Sequence, residues 1–528
     1  MAVVLGISAL SLRADVKMPA IFGDHMVLQQ GATLPVWGTA EPGEKLTVTV
    51  GAEKAVATAD ANGKWKVTLP ALPNGTPPTT MTVAGKNTLT FSDVLVGEVW
   101  LCGGQSNMEF PMSRVLDAKT EMTAANDPQL RLFLVAHRIA LTPIEDVKGQ
   151  WQVCTPDSVR SFSAVGYYFG QRLRTALKEP VGLIGSYWGG TPAQVWMSPD
   201  SLEKTPGLGT YADAYKGLLA AYPKGEEDYE SQMATATAAQ QKWRDDCNHD
   251  PAYQAAMKAW VTASTQVTPG QPQPPRPAPP IPQPPMPLGS GPLSATLYNG
   301  MIAPLIPYPL KGTIWFQADG NMGHPGDYGL LIQTLIKDWR AQWGAEMPFY
   351  YVEMNNMRDM PQTLPVQENN LSLIREQQEA ALELPATGVV CSIDLGLPIP
   401  EPHFPNKKPV GVRLANLTLN DLYHQPGPVN SPAFKSSHVE GNKIRLTFTN
   451  ATGLHATTPD GTLKGFAIRA AGGTWLWAQG RIDHDAIVVW NDQVPQPSDV
   501  RYAWACNPVI SVANGADLPL RPFRTDKK

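Results

Sequence analysis

Residues 94–110 read VLVGEVWLCGGQSNMEF. The apolar run 94–102, interrupted only by Gly97 and Glu98, has the pattern of a strand buried on both faces. Gly103 and Gly104 end it in a turn, and Gln105, Ser106 and Asn107 follow. Strands buried on both faces belong to parallel sheets covered by helices, and such sheets place ligands beyond the carboxyl ends of their strands. Ser106 therefore stands where chemistry would be expected, although a lone serine after a strand is commonly a turn or helix-cap residue.

Outward from this stretch the chain divides by rhythm. Over 94–430 apolar strands alternate with amphipathic helices, which predicts an α/β layer fold with a parallel sheet. One helix is expected over 164–177, with Val165, Tyr168, Phe169, Leu173 and Leu177 on one face. Over 15–93 short alternating segments such as KLTVTV and KWKVTL, separated by EPG, ANG and PNG turns, predict an N-terminal β domain. The β rhythm returns over 431–528, in KIRLTFTN, LKGFAIRAA and AIVVWND, as a C-terminal β domain. An insertion at about 206–292 interrupts the α/β region. Its first part, to 263, has helical potential, and its second, TPGQPQPPRPAPPIPQPPMP, reads as a polyproline-like or disordered surface spacer rather than a signalling ligand.

The 528 residues are too many for one ordinary core. A net charge of −5 offers no basic surface for nucleic acid, and the 15 Trp suggest stacking faces for carbohydrate. The five cysteines lack C-x-x-C spacing, so neither a zinc site nor a dense disulfide framework follows. Residues 1–14 resemble the rear half of a secretory signal, which implies a secreted or periplasmic protein, and no stretch reaches membrane-spanning length.

Four expected strand ends carry reactive or small residues: Gly104 to Asn107; Trp188, Gly189 and Gly190; Gln317 to Asn321; and Glu401 with His403. Together they hold the inventory of an acyl-transfer site. Ser106 needs an imidazole base, which His403 can supply, and a carboxylate to hold that ring, for which Glu401 and Asp394 are candidates. His324 competes as the base. The Ser106 N–H, a Gly190 N–H and the Asn321 amide suit a developing oxyanion. Cys102, the last apolar residue of its strand, is expected to be buried and inert. Met108 replaces the second glycine of a G-x-S-x-G elbow, so this is not an ordinary α/β-hydrolase.

In this order, GGQSNMEF, VGLIGSYWGGTPAQVW, IWFQADGN and HFPNKKPVGVRLA resemble the four signature blocks of the sialate O-acetylesterase family, within the SGNH hydrolase superfamily. MPAIFGDHMVLQQGATLPVWGTAEPGEK resembles the family's N-terminal β domain, and GNKIRLTF, LKGFAI and VRYAWACNP its C-terminal one. The resemblance implies a three-layer SGNH fold with Ser106 as nucleophile, His403 as base, Gly190 and Asn321 completing the oxyanion hole, and Gln105, Trp188 and Gln317 lining the substrate cleft. The implied reaction removes an acetyl ester from a carbohydrate through an acyl-serine intermediate and without a metal or cofactor, with O-acetylated sialic acid as the leading substrate and xylan or another glycan as the alternative. A glycan-binding protein with an impaired site is the other reading.

Departures from the family pattern bear on the site. Glu401, Pro402 and His403 stand where the family has Asp-Ile-His. Gln317, Ala318, Asp319, Gly320 and Asn321 stand where it has Gln-Gly-Glu-Ser-Asn, so a methyl at Ala318 is expected to crowd a close backbone approach. The insertion is placed where it could cover part of the cleft. A sialic acid carboxylate would call for a cation, and Arg114, Arg160 and Lys407 are the candidates.

Overall fold

The computed structural model of the protein describes residues 15–266, 274–357, 361–397, 401–427 and 430–526. The signal-like segment 1–14 lies outside the described residues, as does part of the proline-rich run.

The organising strand is β1, Thr88–Gly104. Its first half alternates between exposed and half-buried positions and pairs antiparallel with Thr79–Ala84; from Val94 onward every residue is buried. The expected division between 93 and 94 thus falls inside one strand, at Asp93, whose φ of 53° turns the chain from one environment to the other. The remaining core strands are β2 (Asp127–Leu134), β3 (Trp151–Cys154), β4 (Val181–Tyr187), β5 (Gly312–Phe316), β6 (Phe349–Glu353) and β7 (Thr387–Cys391). Their order is β7-β6-β5-β1-β4-β2-β3, parallel throughout except for the antiparallel edge strand β3. This is the α/β core with a parallel sheet that the sequence predicts.

Helix α1, Ala164–Leu177, has the expected bounds. Ser163 caps it by accepting the Gly166 N–H at 3.0 Å, and Val165, Tyr168, Phe169 and Leu173 are buried. Several tryptophans that suggest sugar stacking are core residues instead: Trp100, Trp196, Trp315, Trp339 and Trp504 are fully buried, with Trp315 set edge-on to Trp339 at 5.6 Å.

The insertion contributes helices α2 (Glu226–His249) and α3 (Pro251–Thr265). The described part of the proline-rich run is laid along them rather than free as a spacer. Helix side chains use backbone carbonyls of the run as acceptors: Trp243 Nε1 donates to Ile281 O at 3.0 Å, Gln240 Nε2 to Pro284 O at 2.5 Å and Trp260 Nε1 to Pro274 O at 2.9 Å. The insertion docks on residues 138–141 through Glu226 and Tyr215.

The C-terminal unit begins with Ala433–Glu440 and forms two four-stranded sheets. Arg375 stitches it to the core. Wholly buried, its guanidinium donates to Met354 O, Asn355 O, Ala505 O and Cys506 O at 2.7–3.0 Å.

The last core helix, α4 (Lys408–Tyr423), crosses α1 at Gly411. A Cβ there would lie 2.7 Å from Val165 O and 2.8 Å from Phe169 N, backbone atoms that cannot swing aside. Gly→Ala in a helix ordinarily stabilises by up to about 1 kcal/mol. Here the sign reverses. Gly411→Ala is expected to lower stability by ~1–3 kcal/mol in denaturant unfolding, as overpacking does; an unchanged or raised midpoint would contradict this packing.

Candidate active site

The carboxyl ends of β1, β4 and β5 are locked together by backbone contacts. Gly104 has φ +135°, and a Cβ on it would sit 2.3 Å from Phe316 O, so only glycine fits. Gln105 N–H donates to that same carbonyl at 3.0 Å, and Trp188 N–H donates to Gly104 O at 3.1 Å. The chain then enters a single helical turn, Ser106–Glu109. Ser106 is half-buried between the buried Gln105 and Asn107, and its hydroxyl makes no hydrogen bond among the described residues. It is an available hydroxyl on a fixed turn.

His403 and Glu401 meet directly. His403 Nδ1 lies 2.8 Å from Glu401 Oε1, which also accepts the His403 backbone N–H at 2.8 Å. An ionised carboxylate only accepts, so Nδ1 carries the hydrogen and Nε2 is left as the basic nitrogen. The longer carboxylate and the proline neighbour thus do not prevent the contact. Asp394 is not its rival, because it forms a two-pronged pair with Arg413 at 2.8 and 2.6 Å. His324 is exposed on the turn after Asn321, without a carboxylate partner among the described residues. The His403 segment is joined to the Ser106 turn: Asn107 Nδ2 donates to Pro402 O at 3.2 Å. Ser106 Oγ and His403 Nε2 are not hydrogen-bonded to each other, and such contacts commonly tighten only with substrate bound.

Gln105 and Gln317 lie beneath this surface rather than lining it. Gln317 is fully buried; its Nε2 faces Gln105 Oε1, Thr191 O and Asn321 Oδ1 at 2.9–3.2 Å, and its Oε1 accepts from Tyr328 at 3.0 Å. Gln105 Oε1 also accepts the Gly320 N–H at 2.9 Å. Both amides are scaffold, correcting the expectation that they face substrate. Asn321 takes the Ala193 N–H on Oδ1 at 2.8 Å and gives one Nδ2 hydrogen to Gln194 Oε1 at 2.9 Å, which leaves its second Nδ2 hydrogen uncommitted. Ala318 is fully buried, and its φ of 179° does not call for glycine. The close approach is at Gly320, where a Cβ would lie 2.6 Å from Thr191 O.

At the third strand end Gly190 is exposed with φ +75°, and its N–H has no partner among the described residues. The neighbouring Gly189 N–H is already bound, to Glu109 Oε2 at 2.6 Å. Glu109 Oε1 lies 3.1 Å from His137 Nε2, and the His137 ring stacks on Trp188 with centroids 4.1 Å apart. Glu109 and His137 border a cavity of about 400 Å³ with Lys148, Ser161 and Tyr187 on its walls. Sequence reasoning did not single out Glu109 or His137. Glu109 stands inside the quoted GGQSNMEF block, but nothing in the spacing joins it to His137.

Lys407 is wholly buried and donates to Asn107 Oδ1, so it cannot serve as an exposed cation for a substrate carboxylate. Arg114 and Arg160 are exposed. Burial pushes the Cys102 thiol far above its ordinary range, as expected of an inert cysteine. Among the described residues no cluster of three or more His, Cys, Asp or Glu could hold a metal ion, and no helix is long and apolar enough to cross a membrane.

No family model matches the chain. It is 28% identical over 372 residues to mouse sialate O-acetylesterase, covering 64% of this chain and 60% of the relative, and 28% identical over 346 residues to the human protein, covering 61% and 53%. The chain therefore spans between about half and three-fifths of the length of these relatives. The crystal structure of a carbohydrate acetylesterase from Xanthomonas citri superposes with a TM-score of 0.77 at 31% identity, covering 97% of this chain and 100% of that one. With the resemblance extending end to end through both flanking β units, the chain belongs with the Xanthomonas citri enzyme to a family of carbohydrate acetylesterases, and over part of its length it is similar to the sialate O-acetylesterases.

Proposed function

We propose that the protein is a serine esterase that removes O-acetyl groups from a carbohydrate through an acyl-serine intermediate, with O-acetylated sialic acid as the substrate. The observation that carries this reading is the pairing of Glu401 with His403 Nδ1, on a segment bonded through Pro402 O to the residue after Ser106. The names of the mouse and human relatives supply the sugar. The leader expected over 1–14 fits an enzyme acting on glycans in a secreted or periplasmic setting.

In this mechanism His403 Nε2 takes the proton of Ser106 Oγ as the oxygen attacks the acetyl carbonyl, while Glu401 stabilises the imidazolium. The tetrahedral oxyanion is received by the N–H groups of Ser106 and Gly190 and the free Nδ2 hydrogen of Asn321; each such donor is worth ~3 kcal/mol in the transition state. The imidazolium returns its proton to the sugar oxygen as the C–O bond breaks. Water, deprotonated by the same nitrogen, then attacks the acetyl-serine, and acetate leaves.

A second reading, a neutral acetylated glycan such as xylan, is favoured by the charges around the turn. Glu109 and Glu401 both lie beside Ser106 or its partners, while Lys407 is sealed away. Acetate release from O-acetylated sialic acids and from acetylated plant polysaccharides separates the two: faster turnover of the polysaccharide selects the neutral glycan, and release from neither leaves a binding protein. Ser106→Ala is expected to lower turnover of an acetylated chromogenic ester by roughly 10⁴- to 10⁶-fold; activity equal to wild type would end the nucleophile assignment. Glu401→Gln should cost roughly 10²- to 10⁴-fold in kcat, whereas Asp394→Asn should change kcat by less than about threefold because its partner is Arg413. Equal losses from the two would contradict the orienting role of Glu401.

A further inference from the structure

The buried amide that follows Ser106 grips both ends of the segment carrying His403. Asn107 Nδ2 donates to Pro402 O at 3.2 Å, and Asn107 Oδ1 accepts from Lys407 Nζ. Residues 402–407 are thus closed into a loop by one side chain, with His403 inside it. We propose that Lys407, acting through Asn107, is a positioning residue that sets His403 over Ser106; this deepens the esterase reading above and rests on it.

The site is built for a buried ammonium. Lys407 Nζ lies 3.5 Å from the Phe404 ring centroid, 5.0 Å from that of Phe110 and 5.6 Å from that of Phe316. Those rings come from the His403 segment, the Ser106 turn and the end of β5, so the cage ties together three pieces of chain that make up the site. Lys407 also opens α4: its carbonyl accepts from Val410 N–H at 3.1 Å and Gly411 N–H at 3.3 Å, and Gly411 is the point where α4 meets α1. The tether is therefore anchored in the packed core on one side and ends one residue from the nucleophile on the other. Burial draws the lysine well below its ordinary range, with Glu401 opposing that effect and Arg114 adding to it. Charged or neutral, the nitrogen still donates to Asn107. A lysine kept wholly inside the protein is costly, which is consistent with a role beyond packing.

Three variants separate positioning from mere support. Lys407→Met removes the donor and keeps the bulk. Asn107→Asp keeps an acceptor for Lys407 and loses the donor to Pro402 O. The double variant Asn107→Leu/Lys407→Met replaces both partners with apolar groups, a change that can be nearly neutral for stability. With an acetylated chromogenic ester, Lys407→Met should lose about 10²-fold in kcat, with KM within about threefold, because a misplacement of roughly 1 Å at the reacting groups costs that much. The double variant should recover melting temperature but not kcat. Amide hydrogen exchange, which needs no activity, should show protection falling together in the peptides spanning 105–109 and 402–407 in Lys407→Met, with a smaller loss in Asn107→Asp. Unchanged protection in both segments, or kcat returning with stability in the double variant, overturns the proposal. If the wild type hydrolyses no acetyl ester, the esterase reading fails, and the exchange result still decides whether Lys407 holds the segment.

Discussion

The carbonyl of Phe316 occupies the space where any side chain at position 104 would have to stand. That one contact makes residue 104 glycine, gives it a φ no other residue adopts comfortably, and brings the end of β5 against the end of β1. The same oxygen receives the Gln105 N–H, and the freed Gly104 carbonyl receives Trp188 N–H from β4. Three parallel strands are thereby fastened at their carboxyl ends, and the chain leaving β1 has one way to go, into the short turn that lifts Ser106 out of the core.

Below the turn lies a net of buried amides rather than an apolar floor. Gln105, Gln317 and Asn321 exchange hydrogen bonds with one another and with backbone groups of the 191–194 and 320–321 segments. Such a net is costly unless its members are satisfied, and when satisfied it admits few alternative arrangements. Its effect is to fix the Asn321 amide and the glycine turn after β4 relative to Ser106 before substrate arrives. In the mechanism proposed above, where an oxyanion is received by donors placed in advance, the amides contribute by holding those donors still.

What could be read from the sequence follows from what leaves a periodic or local trace. Helix 164–177 was legible because its apolar stripe is a local signal. The buried strand before Ser106, the alternation of strands and helices and the β rhythm at both ends were legible for the same reason. The join at Asp93 was not: burial changes there, so a single strand looks like two domains. The burial of Gln105 and Gln317 is not legible in the sequence, because an amide at a strand end has the same letter whether it turns inward or outward, and the family resemblance places both in the cleft. Lys407 and Asn107, far apart in sequence, and Glu109 with His137 make polar contacts that no spacing rule announces. The proline-rich run was read by composition alone, which cannot show that helix side chains would find its carbonyls.

The esterase reading makes Ser106, and no other hydroxyl, the group that attacks. Its most direct test is covalent: the wild-type protein is treated with a fluorophosphonate, digested, and the modified residue located by mass spectrometry. A single stoichiometric adduct on Ser106, formed slowly or not at all in His403→Ala, is the predicted result. An adduct on another residue in an active enzyme, or hydrolysis of acetyl ester with Ser106 unmodified and insensitive to the reagent, would contradict it.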